Sequence, residues 1–159
     1  MYARDMARIA TPVGSVTLWG DDTQIDAIEI GDEDRPHVPG ASVAIRAAVE
    51  QLQAWFAGER TAFEVPLAPA ATLRGQALHD AMCAIDYGET LSYGALAMAA
   101  GSSARAIGQV CARNPFPIIV PCHRVLNADG TLGAYSAGAG SRTKAWLLDF
   151  EARGRRTLL

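Results

Sequence analysis

Asn114-Pro-Phe-Pro-Ile-Ile-Val-Pro-Cys-His-Arg-Val125 decides how the chain is read. The apolar run Ile118-Ile119-Val120 reads as a strand that Pro121 stops, because proline cannot extend a sheet ladder. The chain leaves that strand at a cysteine followed by a histidine and an arginine. A thiol beside an imidazole and a guanidinium is expected to ionise near neutral pH, and the thiolate is the nucleophile. Burial as one more core cysteine fits poorly, since His123 and Arg124 would be drawn inside with Cys122.

The elements around this stretch follow from periodicity and punctuation. On its N-terminal side, Ser92 is placed to cap a short helix, Tyr93 to Ala100, which Gly101 ends. Ser102 or Ser103 caps the next helix, which runs to about Arg113. Two short helices across a glycine turn form a helix-turn-helix pattern. In the second of them Ile107, Val110 and Cys111 are expected inward. Arg105, Gly108, Gln109 and Ala112 face out. That outer face is smooth, with one long arginine, which suits a minor groove and a side chain pushed between bases better than major-groove readout. On the C-terminal side come a hairpin at Ala128-Asp-Gly130, a glycine-rich loop from Gly133 to Ser141, and a helix over 142–152. Residues 153–159 read as a frayed tail. A helix over 73–85 turns Leu78, Met82 and Ile85 inward, and Asp86-Tyr-Gly88 breaks it.

The first half differs in character. Alternation over 7–11, 15–19 and 25–30 predicts three strands. A helix from Ala41 to Gly58 follows, with Val43, Ala47, Leu52, Trp55 and Phe56 on one face. Phe63-Glu-Val65 is a short strand and Pro66 to Ala71 a linker. The fold class is therefore mixed α/β (α+β): a small strand-rich N-terminal α/β domain, residues 1–70, then a winged helix-turn-helix-like domain, residues 71–159.

Composition narrows the function. The chain has 159 residues, half of them apolar, and a net charge of −3, enough for one domain or two small ones. No apolar run is long enough to span a membrane, and the first residues do not read as a signal peptide. Three cysteines suggest free thiols in a reducing, cytoplasmic (in a bacterium, nucleoid-associated) setting. No Cys/His spacing suits a structural zinc site and no phosphate-binding glycine loop occurs. Acidic residues crowd positions 21–34, whereas Thr90 to Ala128 has none and carries Arg105, Arg113 and Arg124. Local potential, not net charge, decides whether a polyanion is tolerated.

Taken together these motifs resemble the O6-alkylguanine-DNA alkyltransferases, the methylated-DNA–protein-cysteine methyltransferases. Val120-Pro-Cys-His-Arg-Val125 carries the resemblance. Asn114-Pro115, Thr90-Leu-Ser-Tyr93, Ser103-Ala-Arg-Ala-Ile-Gly108, Ala134-Tyr-Ser136 and Trp146-Leu-Leu-Asp-Phe-Glu151 match in order and approximate spacing. Residues 74–152 are similar throughout; the first 70 match only in element order. The resemblance implies a monomer that binds double-stranded DNA in the minor groove and swings an alkylated guanine out of the stack. The alkyl group would then pass irreversibly to Cys122, with one turnover per molecule and with no metal or cofactor, because the lesion itself carries the group. It further implies His123 as base through a water, Glu151 as its orienting anion, Tyr93 as donor to a ring nitrogen, and Asn114 as brace of the active-site turn. Tyr135, Ser136, Cys111 and the carbonyl of Val125 would meet the base. Arg105 would fill the gap it leaves. Ser92, Ser103, Ala104, Ala106, Gly108, Gln109, Arg113 and Arg124 would face DNA.

Two departures stand out. Ala137-Gly138-Ala139-Gly140 follows the Tyr-Ser pair where the family carries two glycines and a shorter loop, and Cys111 stands where a larger apolar residue is common. The altered loop keeps open an alkyltransferase-like protein that binds lesions with weak or no transfer, although such proteins generally lack the acceptor cysteine that stands here at Cys122. A Cys/His hydrolase is the other rival, but nothing marks an oxyanion hole.

Overall fold

The computed structural model describes residues 4–31 and 33–158; Leu159, the end of the expected tail, lies outside them. The chain divides into two compact units, Met1–Ala68 and Pro69–Leu159.

In the first unit, β1 (Asp5–Thr11), β2 (Gly14–Gly20) and β3 (Ile25–Gly31) form an antiparallel sheet in the order β1-β2-β3. Its register aligns Ile9 with Val16 and Val16 with Ile30, and Ala7 with Leu18 and Leu18 with Ile28. Period-two alternation thus puts six apolar side chains on one face, all buried. Helix α1 (Val43–Phe56) packs on the sheet through Ala44, Ile45, Ala48, Val49, Leu52 and Trp55. The expected face was rotated: Val43 is 69% exposed. It is the first helical residue, its N–H bonded to Asp22 Oδ1 at 2.8 Å, and the stripe starts one residue later. Asp5 Oδ2 accepts from the Ala41 and Ser42 N–H groups at 2.8 and 2.7 Å, tying the head of α1 to β1. Residues 63–65 are not a strand. Among the described residues the ladder contact nearby is an isolated bridge between Ile25 and Leu67.

The second unit is mainly helical. Helix α2 (Leu73–Cys83) is capped by Thr72, which accepts from Gly75 N. Leu78, Met82 and Ile85 are buried as expected. Ser92 caps α3 (Tyr93–Ala100), accepting from Ala95 N at 3.0 Å, and Ser103 caps α4 (Ala104–Ala112), accepting from Ala106 N at 3.1 Å. Gly101 at φ 64° provides the left-handed residue that ends α3 and turns the chain into α4. Helices α2, α3 and α4 pack on one another. Two-residue strands β4 (Leu91–Ser92) and β5 (Val125–Leu126) pair in parallel. Helix α5 (Ser141–Leu158) runs through the segment expected to fray. Residues 118–120 form turns, not a strand, and the Asn127–Thr131 turn closes without flanking hairpin strands.

Candidate active site

The site is built outward from Asn114, just past the end of α4. Its side chain reaches forward along the chain and organises the next eight residues. Oδ1 accepts from Phe116 N at 2.9 Å; Nδ2 donates to Val120 O at 2.8 Å and lies 3.2 Å from Cys122 Sγ. Pro115, Pro117 and Pro121 lack backbone donors, so this segment cannot be satisfied as a strand. The amide of Asn114 supplies the missing partner. Ile118 is held at φ 75°, a left-handed conformation that a β-branched residue adopts only under constraint from its surroundings. Pro121, at φ −83° and ψ 62°, centres an inverse γ-turn closed by Cys122 N to Val120 O at 2.8 Å. A single 3-10 turn, Cys122–Arg124, follows.

That turn fixes three side chains. Cys122 is 4% exposed and His123 is sealed completely, so the expectation that burial fits this segment poorly is corrected: His123 and Arg124 are drawn inside with the thiol. His123 Nε2 lies 3.0 Å from Glu151 Oε1 on α5. A carboxylate only accepts, so Nε2 carries the proton and Nδ1 presents its lone pair. Nδ1 is buried and has no hydrogen-bond partner among the described residues. Arg124 is also buried. It grips Glu151 through Nε at 2.9 and 3.1 Å and a terminal nitrogen at 2.5 Å, and donates to Ile85 O at 2.6 Å. The assignment of Arg124 to the DNA face is therefore corrected: its charge is spent on Glu151.

Burial sets the titration of these groups. It pushes the Cys122 thiol up, against the Asn114 hydrogen bond and the positive charge of Lys144. Burial holds His123 below its ordinary value, outweighing the pull of Glu151. Burial also works to raise Glu151, but hydrogen bonds from His123 and Arg124 win and the carboxyl stays below its usual range. At rest the group is a neutral thiol, a neutral imidazole and an ion pair. The expectation of a thiol ionised near neutral pH is not met here.

Cys122 opens onto one cavity of about 130 Å³, lined by Tyr93, Gly108, Cys111, Ala112, Cys122, Ala134, Tyr135 and Ser136. Tyr93, Cys111, Cys122, Tyr135 and Ser136 are the residues expected around the base; Gly108 was expected to face DNA, and Ala112 and Ala134 were not expected in the site. The cavity therefore lies between the two helices of the helix-turn-helix and the loop after Gly133. Tyr135 carries a buried hydroxyl with no partner among the described residues, and burial pushes its pKa well above the ordinary phenol value. Burial raises Tyr93 as well, so it stays a donor at neutral pH. Cys111 points its sulfur at Met82, 3.6 Å away, and burial pushes its thiol up to about 12. Val125 does not line the cavity; its carbonyl accepts from Lys144 Nζ at 2.7 Å. Lys144 was missed. The signal was present, because Lys144, Leu147 and Glu151 repeat at helical spacing and all three are buried.

Arg105, Ser103, Ala104, Gln109 and Arg113 are exposed, with Ala106, Gly108 and Ser92 half-buried beside them. The hydroxyls of Ser92 and Ser103 are engaged as helix caps. Gln109 and Arg113 border a second, shallower cavity with Thr72, His79 and Pro115.

Residues 75–153 match the family described as 6-O-methylguanine DNA methyltransferase, DNA binding domain. The chain is 40% identical over 149 residues to the methylated-DNA–protein-cysteine methyltransferase of Mycobacterium tuberculosis, covering 90% of this chain and 89% of that one. It is 37% identical over 153 residues to the constitutive methylated-DNA–protein-cysteine methyltransferase of Bacillus subtilis, covering 89% and 91%. Among solved structures, Mycobacterium tuberculosis OGT in complex with DNA superposes with a TM-score of 0.81 at 37% identity, over 94% of this chain and 93% of that one.

Proposed function

The chain belongs to the 6-O-methylguanine DNA methyltransferase family, and from that premise we propose that Cys122 is its alkyl acceptor, O6-alkylguanine in duplex DNA its substrate, and a monomer its working form. The activity is that of a methylated-DNA–protein-cysteine methyltransferase: direct-reversal DNA repair by transfer of an alkyl group to cysteine.

One observation carries the assignment of Cys122. It is the only one of the three thiols that both lines the cavity and lies within reach of an organising donor, Asn114 Nδ2 at 3.2 Å, next in sequence to a histidine whose far nitrogen is fixed by a buried carboxylate. In the proposed reaction the thiol proton passes through a water to His123 Nδ1. Glu151 stabilises the imidazolium that forms. The thiolate attacks the alkyl carbon from behind; a C–S bond forms as the C–O bond breaks, and the electron pair leaves on guanine O6. Tyr93 donates to a ring nitrogen of the departing base and Ser136 to its oxygen, so charge does not accumulate on the leaving group. No water is activated toward the new thioether in this scheme, which makes the exchange a single event per chain.

DNA reaches the pocket along α4. Its outward face is small at Ala104, Ala106 and Gly108, so the helix backbone can approach a groove closely, and Arg105 is the long side chain positioned to occupy the space of an extruded base. Incubation with duplex DNA carrying O6-methylguanine, followed by peptide mass spectrometry, tests the reading. One methyl per chain on the Cys122 peptide is expected. Repeated turnover, an acyl adduct, or binding without gain of mass would each overturn it. The last of these would favour the lesion-binding alternative that the longer loop after Ser136 keeps in view.

A further inference from the structure

Lys144 carries a charge that no role described so far employs. The side chain is fully buried in the first turns of α5. Nζ donates to Val125 O at 2.7 Å, contacts Leu132 O, and lies 3.4 Å from Ala134 O. An ammonium has three donors and no acceptor, and three carbonyls saturate it. These carbonyls belong to the places where the pocket is assembled. Val125 follows the catalytic turn, and Leu132 and Ala134 flank Gly133 just before Tyr135 and Ser136. Nζ also stands 5.9 Å from the centre of the Tyr93 ring.

The partners are dipoles, not anions. Among the described residues no carboxylate lies within ion-pair distance of Lys144; Glu151, on the same helix, is taken by Arg124 and His123. A sealed positive charge without a counter-ion is expensive. It is placed beside the pocket, where its field reaches the acceptor sulfur: it draws the Cys122 thiol downward, and while burial lowers the ammonium itself, an ionised Cys122 would support it in return.

Resting on the reading of Cys122 as acceptor, we propose that Lys144 is a positioning residue with two effects: it fastens the pocket rim through the carbonyls of Val125, Leu132 and Ala134, and it provides the standing positive charge whose counter-ion is the Cys122 thiolate. The resting site is neutral at sulfur and carries a spare cation. Ionisation of the thiol completes an ion pair instead of creating an isolated buried anion.

The two effects separate in two variants of the full chain. Lys144→Met keeps length and loses charge; Lys144→Arg keeps charge but replaces a compact three-donor head by a planar fork. Single-turnover methyl transfer from O6-methylguanine duplex is measured from about pH 6 to about pH 10, a window that spans ordinary thiol ionisation, with circular dichroism to confirm folding. In Lys144→Met the acid limb of the rate profile moves up by about one unit or more, with transfer at neutral pH down at least about tenfold. In Lys144→Arg the limb stays with the wild type while the DNA concentration at half-maximal rate rises. A folded Lys144→Met with the wild-type limb overturns the proposal, as does a Lys144→Arg whose limb shifts equally. Should Lys144→Met fail to fold, the position of the Lys144→Arg limb decides alone. A wild-type protein that gains no methyl sinks the assignment of Cys122, and this proposal with it. An active wild type with unmoved variants sinks only the proposal.

Discussion

Glu151→Gln removes one charge from the sealed group and almost nothing from its shape. The carboxylate accepts from His123 at 3.0 Å and from Arg124 at 2.9, 3.1 and 2.5 Å, and both Glu151 and His123 are fully buried. An amide has one acceptor atom, and its NH2 group must face a donor of either His123 or Arg124. At least one bond becomes a donor–donor clash, and the guanidinium loses its counter-ion, keeping only neutral acceptors, the amide oxygen and Ile85 O. Leaving one half of a buried pair uncompensated costs about 3–5 kcal/mol. For a chain of this size each kcal/mol moves the melting midpoint by roughly 2–4 °C, so a fall of about 6–20 °C is expected. Catalysis suffers separately, since in the proposed reaction the imidazolium that His123 would become loses its anion. A general base is worth about 10²–10⁴-fold, and transfer to Cys122 should slow at least about 100-fold. Thermal unfolding by circular dichroism and single-turnover methylation by mass spectrometry measure the two effects. A Glu151→Gln protein that melts with the wild type and methylates within about threefold of its rate, far inside the range just given, would refute both the buried-charge argument and the relay.

Arg105→Ala should slow transfer from duplex DNA far more than from free O6-benzylguanine, because only the duplex has a gap to fill; equal loss on both removes the base-replacement role. Asn114→Asp exchanges the amide donor beside Cys122 Sγ and Val120 O for a carboxylate. Neutral-pH alkylation should fall at least about tenfold and its acid limb move upward, and an unchanged profile would detach Asn114 from the thiol. Burial holds His123 below its ordinary value. The unfolded chain therefore takes up a proton below about pH 6.5 that the folded chain refuses. Stability present above that pH is lost as the pH falls, at up to about 1.4 kcal/mol per unit. The melting midpoint should drop between neutral and mildly acidic pH, less steeply in His123→Gln; a wild-type curve that is flat or rises toward acid contradicts the sign.

What could be read from the sequence was local and periodic. Ser92, Gly101 and Ser103 state where two helices begin and turn, because a capping hydroxyl and a left-handed glycine act within a few residues of themselves. The β1–β3 alternation is equally self-contained. The failures share a cause: a distant partner replaced the local one. Ile118 to Val120 look like a strand by side chain alone, but the three flanking prolines cannot donate and the Asn114 amide accepts and donates instead. Arg124 looks like a phosphate contact until Glu151, 27 residues on, is folded against it. Lys144 reads as a surface lysine unless the face it shares with Leu147 and Glu151 is noticed. No spacing reveals that its partners are three main-chain carbonyls.

The chemistry of the pocket follows from what burial does to each thiol. Cys83 is exposed, yet it lines neither cavity and nothing described orients its sulfur. Cys111 lines the pocket but points into Met82, with its thiol pushed up to about 12. Cys122 is more deeply buried still, and burial raises it too. Exposure and resting acidity therefore do not select the acceptor. The difference lies in what surrounds the sulfur once it loses its proton. Asn114 is already donating, Lys144 already carries the opposite charge, and His123 already presents a lone pair backed by a carboxylate. None of these groups must reorganise when charge moves, which is the condition under which fixed dipoles in a dry site act most strongly. A thiol held neutral until a ring closes over it is also protected from small electrophiles in solution. For a protein spent by a single alkylation, that protection matters as much as the rate.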